Sequence, residues 1–284
     1  MEKLKIIVCS HKESCYIRKA PPYYPLQVGK ALHPELDLGF EADNNGDNIS
    51  ERNASWSELT ALYWGWKNMT DAEYMGLCHY RRYLDIEMNA SNIDDIMAGY
   101  DILVAENSVE WEYGINNRGL QLATSQEDFF IFLDTLLEIH PECKKEIIDY
   151  FYNSNRFVPF TIFVAKKDVY DDFCEFIFPV LFEVEKRILP RKYTRQKRVM
   201  GYFGEWLLGT YILCKHLKIK EIPWVMCGDD NHTVPHRLST LRSWYRTLRM
   251  WNRKRKWVPI TEVIVPSDVL NGLKSDGIKL HVLK

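Results

Sequence analysis

The sequence predicts an α/β sandwich around a largely parallel sheet, followed by a helical C-terminal extension. Short apolar runs of strand length alternate with segments of helical period. Turn residues separate them, with no internal repeat and no low-complexity linker. The 284 residues are enough for one full core, and 46% hydrophobic with 27% charged residues is an ordinary folded composition. Disorder, collagen and coiled coil are thereby excluded as the main state. The longest apolar runs, such as Phe176–Phe182, fall well short of the roughly 20 residues that cross a bilayer. Met1–Ser10 enters an apolar run with no small-residue cleavage site behind it, so no signal peptide is expected.

Leu4–Cys9 reads as the first strand, with Ser10–Glu13 as the loop after it. Asp43–Ser50 is a turn-rich polar loop. Ser55–Asn68 reads as a helix, because Leu59, Leu62, Tyr63 and Trp66 form an apolar stripe and Ser55 with Glu58 matches a capping box. Tyr74–Tyr80 and Asp101–Ala105 read as buried strands. Ser125–His140 is a helix stopped before Pro141, and Glu142–Tyr152 continues as another. Phe157–Ala165 reads as a strand. Asp168–Leu189 is a long helix that Pro179 should kink or divide. Met200–Leu217 is an apolar helix, and Glu221–Met226 a late strand. The expected partition is a domain over 1–228 and a basic amphipathic extension over 229–284.

The formal net charge of -2 hides an asymmetry. Lys186–Val199 holds seven basic residues and His236–Trp257 eight, neither with an acid, together fifteen of the 37 basic residues. Such segments favour phosphates, nucleic acid or an anionic surface. The second places Leu238, Leu241, Trp244 or Tyr245, Leu248 and Trp251 at helical spacing between arginines, the pattern of a helix in a membrane interface, with a helix docked on the domain as its alternative. No nucleic-acid module accompanies it. Seven cysteines without a CxxC pair read as reduced thiols of a cytoplasmic protein.

The candidate site residues cluster after strands. His11 follows the first strand, where open α/β sheets bind ligands. No GxGxxG and no GxxxxGK[ST] run occurs, which disfavours dinucleotide and P-loop folds. Asp47, Asn48 and Asn53 could hold hydroxyls of a ribose or sugar; their alternative is local turn formation. The most informative run is His79-Tyr80-Arg81-Arg82-Tyr83, directly after a buried strand. Two guanidinium forks there suit a diphosphate. Asp85 just beyond is a candidate ligand for a divalent metal. Glu205, a carboxylate on an apolar helix, is either paired or a general base.

Gly46-Asp47-Asn48-Ile49-Ser50, Glu58-Leu59-Thr60-Ala61, Trp66-Lys67-Asn68 and Gly76-Leu77-Cys78-His79-Tyr80-Arg81-Arg82-Tyr83 resemble one bacterial family. It comprises glycosyltransferase-like proteins of capsule and exopolysaccharide clusters, long catalogued as a domain of unknown function. Tyr24–Gly29, Phe163–Lys167, Phe173–Glu175, Phe182–Arg187 and Gly201–Leu207 agree, so the likeness covers roughly residues 4–225. It implies a GT-A-like fold and sugar transfer from a nucleotide-sugar. Some relatives resemble galactofuranosyltransferases, which makes UDP-galactofuranose or UDP-galactose the expected donor. Carried over by position, His11, Asp47, Asn48, Glu58, His79, Arg81 and Arg82 are implied donor-side residues, and Glu205 the acceptor-side base. Two departures, at Gly204–Trp206 and Phe160–Lys166, fall in the half expected to meet the acceptor.

The resemblance further implies a glycan or lipid-linked acceptor, met at the inner membrane face through residues 236–257. It implies too that the His-Tyr-Arg-Arg-Tyr run takes the place of the usual metal-binding Asp-x-Asp pair. Two routes stay open: Mn²⁺ or Mg²⁺ held by Asp85, or metal-independent neutralisation by the arginines. The alternatives to a transferase are a non-catalytic nucleotide-sugar or glycan-binding protein, and phosphoryl chemistry with His79 as nucleophile.

Overall fold

The computed structural model describes residues 2–109, 113–189, 197–228, 233–235, 244, 245, 248 and 257–284. In chain order the elements are β1 (Glu2–Ser10), β2 (Tyr23–Gln27), α1 (Asn53–Trp56), α2 (Leu59–Asn68), β3 (Ala72–His79), β4 (Arg82–Leu84), α3 (Ile93–Met97) and β5 (Ile102–Ala105). Then follow β6 (Ser108–Val109), α4 (Ile115–Ala123), α5 (Gln126–Ile139), α6 (Lys144–Ile148), β7 (Arg156–Phe157), β8 (Phe163–Lys166) and α7 (Lys167–Arg187). The last are α8 (Val199–Cys214), β9 (Ile219–Ile222), β10 (Trp224–Cys227), β11 (Thr233–Pro235) and α9 (Ser267–Ser275). The chain divides into two compact units. A sheet unit takes Met1–Asn107, Val158–Glu175 and Leu217–Arg237; a helical unit takes Ser108–Phe157, Phe176–His216 and Leu238–Lys284.

The sheet unit is built on nine strands. The order β11-β10-β4-β3-β8-β5-β9 is extended from the other side of β3 by β1 and then β2. The pairs β1–β2, β1–β3 and β5–β9 are parallel and the others antiparallel. Followed across the sheet, β1, β2, β3, β5, β9 and β10 share one direction, while β4, β8 and β11 oppose it. The largely parallel sheet expected from the sequence is therefore present, with antiparallel insertions. One face carries Leu4, Ile6 and Val8 of β1, Tyr74 and Cys78 of β3 and Leu103 of β5, packed with Ile93 and Met97 of α3. The other face meets α2 and the start of α7. There the Tyr170 hydroxyl donates to the Leu62 carbonyl at 3.0 Å, and Phe163 packs on Phe173. Gly76 in β3 marks a close approach: a Cβ there would stand 2.8 Å from the Phe163 carbonyl oxygen.

Several expected elements differ in detail. The Ser55–Asn68 helix breaks at Ser57, whose φ is +53°, so α1 and α2 are separate. Asn53 holds the break by donating to the Ser57 carbonyl and the Thr60 hydroxyl. No side-chain capping bond forms at Glu58, so the predicted capping box is replaced by this Asn53 clamp. The Glu221–Met226 strand is two strands parted by Pro223, which has no N–H for a ladder. Phe157–Ala165 is likewise two strands, β7 and β8, with a turn through Pro159 and Phe160 between them. By contrast, Pro179 lies inside an undivided α7. Strand β2 was not expected. Pro25 sits in it, which is tolerated because β1 is the one strand that pairs with β2 among the described residues, and the bridge on its other side falls at Gln27.

In the helical unit, Ser125 caps α5 as expected, accepting from the Asp128 N–H at 3.0 Å. Phe132 stacks on Phe203 at 4.5 Å and packs against Phe151, forming an aromatic core. Asp134 is fully buried and organises the chain's last residues. Its carboxylate accepts from the backbone N–H groups of His281, Val282 and Leu283 and from the Arg187 guanidinium at 2.7 Å. Burial pushes its carboxyl up, but the backbone donors of Leu283 and His281, Arg187 and the Val282 N–H together hold it below the ordinary value. Much of the basic segment 186–199, namely residues 190–196, lies outside the described residues, as does most of 236–257. No helix among the described residues is long and apolar enough to cross a membrane.

Candidate functional site

The carboxyl ends of β1 and β3 lie side by side, with Cys9 paired to His79. Only two residues join β3 to β4, so the chain reverses at Tyr80–Arg81 and returns with Arg82 opposite His79. Three bonds pin this turn. The Tyr80 N–H donates to the Cys9 carbonyl at 3.2 Å, the Cys227 N–H to the Arg81 carbonyl at 2.8 Å, and the Arg81 N–H to His79 Nδ1 at 3.4 Å. Because Nδ1 accepts, the proton of the neutral His79 ring is assigned to Nε2. His11, in the loop after β1, stands edge-on to Tyr80 at 5.7 Å and 6.4 Å from His79. The Arg81 guanidinium lies 5.2 Å from the Tyr80 ring, and Arg82 lies 4.1 Å above Phe160.

Glu58 reaches the same end from the start of α2, where the Ser57 break places it. The Thr161 hydroxyl, just before β8, donates to its carboxylate at 3.4 Å. Cys9 beneath the site registers both charges. Burial raises its thiol well above the ordinary range, the Glu58 carboxylate and then the Cys78 thiol add to that, and Arg82 opposes it. Two arginines, two histidines and Glu58 thus stand at one sheet end, where the excess of cationic groups favours a multiply charged anion. The sequence reading puts Phe160 and Thr161 in the half expected to meet the acceptor, not with the donor-side residues. The signal was Pro159, which argues for a turn inside an apolar run read as continuous strand.

His11, Glu58, His79, Arg81 and Arg82 are brought together; Asp47 and Asn48 are not. Asp47 is tied to Asn68, the last residue of α2, through Asp47 N–H to Asn68 Oδ1 at 3.2 Å and Asn68 Nδ2 to the Asp47 carbonyl at 2.9 Å. Glu58 precedes the first residue of that ten-residue helix, about 15 Å away. Asn48 is engaged in its own loop, donating to the Gly46 carbonyl and accepting from the Ser50 N–H. Asn53 is the Ser57 clamp described above, and its neighbour Gly29 has φ +70° and no room for a Cβ beside it. These three Asx residues shape the loop. Glu205 belongs to α8 of the helical unit and is half-buried.

Asp85 follows β4, which runs away from the His79 end. It lines an open cleft of about 440 Å³ with Arg18, Tyr23 and Glu87. The Arg18 guanidinium there is stacked on Tyr83 at 4.2 Å and Tyr23 at 5.0 Å. Arg18 thus lines the same cleft as Asp85, and its charge opposes a divalent metal there. Among the described residues, the group with metal-ligand spacing is Asp134, Glu138 and His281 of the helical unit. Its buried carboxylate already serves three backbone donors and an arginine. Among the described residues, no group of three ligands with metal spacing lies at the His79 end.

Residues 5–216 match the family model described as a domain of unknown function, DUF4422. The chain belongs to this family. No curated protein matches it. Among solved structures, it is similar to the apo form of WbbM, a bifunctional glycosyltransferase, with a TM-score of 0.68 and 28% identity. The match covers 78% of this chain and 45% of WbbM, so the chain spans less than half of that protein's length. The DUF4422 chain thus has a GT-A-like α/β fold, and the cationic sheet end lies within the residues that the family model matches.

Proposed function

We propose that the chain is a hexosyltransferase. It moves galactofuranose or galactose from a UDP-sugar to a glycan or lipid-linked acceptor of a surface polysaccharide. The observation that carries this reading is the convergence of His11, His79, Arg81 and Arg82 at the carboxyl ends of two parallel strands, where α/β sheets take their ligands. The similarity to a bifunctional glycosyltransferase supports the reaction class. In the transfer, the bond from the sugar's anomeric carbon to the diphosphate breaks and one to an acceptor oxygen forms. Arg81 and Arg82 balance the charge that develops on the departing UDP. His79 offers its Nε2 proton to a phosphate oxygen, and Glu58 accepts from a donor hydroxyl. The acceptor's proton needs a base if the transfer inverts, and Glu205 is assigned to it on the family resemblance.

Purified protein titrated calorimetrically with UDP, UDP-galactose and UDP-galactofuranose tests this reading. Saturable binding of a UDP-sugar and its turnover with an acceptor extract are expected. Binding without turnover on any acceptor makes the chain a nucleotide-sugar-binding protein, and no binding removes the donor site.

We propose also that residues 236–257 meet an anionic membrane surface. Most of this run lies outside the described residues, but Trp244, Tyr245 and Leu248 are 65%, 56% and 45% exposed. Replacing Arg242, Arg246, Arg249 and Arg253 by glutamine should release the protein from phosphatidylglycerol vesicles, at about 1 kcal/mol per charge. Co-sedimentation measures it, and undiminished retention defeats the idea. Deleting residues 236–284 is the poorer test, because it removes the strand of backbone N–H groups that Asp134 holds.

A further inference from the structure

Phe160 has φ +61°. That left-handed region suits glycine and asparagine and is unfavourable for a bulky side chain. Strain of this kind persists where surrounding contacts hold it, and it concentrates at functional sites. Two contacts hold it here. The Phe160 ring packs edge-on against Trp224 of β10 at 4.9 Å, and its open face lies under the Arg82 guanidinium at 4.1 Å. The next residue, Thr161, donates to Glu58. One tight turn before β8 therefore touches both a cation and an anion of the same sheet end.

We propose that Phe160 is a positioning residue: its ring, braced by Trp224, holds the Arg82 guanidinium flat and oriented toward the diphosphate of the donor. This rests on the donor-site reading above. Holding a guanidinium in one geometry before the ligand arrives lowers the entropic cost of binding. An aromatic face carries no formal charge, so this contact leaves the charge of the guanidinium in place. The unusual backbone angle is the geometry that turns the ring toward Arg82.

The test compares Phe160→Leu, which keeps apolar bulk but has no π face, with Phe160→Tyr, which keeps the ring. Calorimetry should show UDP-sugar affinity falling about 3- to 30-fold in F160L and close to wild type in F160Y. The loss should vanish in an Arg82→Ala background, because Phe160 acts through that guanidinium. Thermal melts check that each variant is folded. Should F160L fail to fold, Phe160→Asn, at ease with the same backbone angle, takes its place with the same expectation. Equal affinities for F160L and F160Y, or a loss that persists alongside Arg82→Ala, overturn the positioning role while leaving the donor site standing. Absence of UDP-sugar binding by the wild-type protein overturns both.

Discussion

Replacing Arg81 and Arg82 together by alanine should raise the dissociation constant for a UDP-sugar by two to four orders of magnitude. Each guanidinium is expected to make charge-assisted hydrogen bonds to diphosphate oxygens, worth about 1.5–3 kcal/mol apiece. At about 1.4 kcal/mol per factor of ten, the pair accounts for that range. The fold should survive, since the turn they occupy is held by hydrogen bonds from the backbone N–H groups of Tyr80, Arg81 and Cys227. Calorimetric titration and a thermal melt of the double variant read the two quantities separately. A protein that melts normally and binds as tightly as wild type would remove both arginines from the phosphate site. The contribution should also weaken with added salt, because the site opens to solvent.

The largest effect on stability should come from Asp134→Ala. The carboxylate is fully buried, and its loss strands three backbone N–H groups and takes from the Arg187 guanidinium, itself only 10% exposed, its nearer carboxylate partner, leaving Glu138 at 3.6 Å. Breaking a buried charge pair from one side costs about 3–5 kcal/mol. The helical unit should therefore unfold at markedly lower denaturant. Proteolysis of residues 281–284 should accelerate in parallel, because those residues are fastened through this carboxylate.

The same group gives a pH signature. Its folded pKa is depressed, so its stabilisation is fully present above the unfolded value of about 3.9 and is lost as pH falls through the folded one. The stability gap between wild type and Asp134→Asn should be constant near neutrality and shrink below about pH 4. A gap independent of pH down to 2 would show that the carboxylate's charge is not what fastens the chain end.

Much of the architecture was legible locally. The alternation of apolar runs with amphipathic helices yields β1, β3, β5, α5, α7 and α8 within a few residues. What escaped had identifiable causes. Pro25 masks β2, because a proline reads as a breaker unless the strand is known to lie at an edge. Pro159 and Pro223 cut apparent strands in two, and in each case the cut redirects the chain: β8 pairs with β3, whereas β10 pairs with β4. The Ser57 break depends on an Asn53 side chain reaching four and seven residues ahead, which no periodicity reveals.

The site divides in the same way. The sequence by itself determined that a His-Tyr-Arg-Arg-Tyr run follows a buried strand. A strand's end must emerge at a sheet edge, so it also determined that these charges are presented together. It could not distinguish Asp47 and Asn48, held at the far end of α2, from Glu58 at the near end, because one helix carries both ends. Only the tertiary structure brought Glu58, Thr161, Phe160 and Arg82 into one place, across separations of up to 103 positions in the chain. Only it showed Asp134 fastening residues almost 150 positions away. Local pattern fixes which face or end a side chain occupies; which distant segment meets it there is decided by how the elements pack.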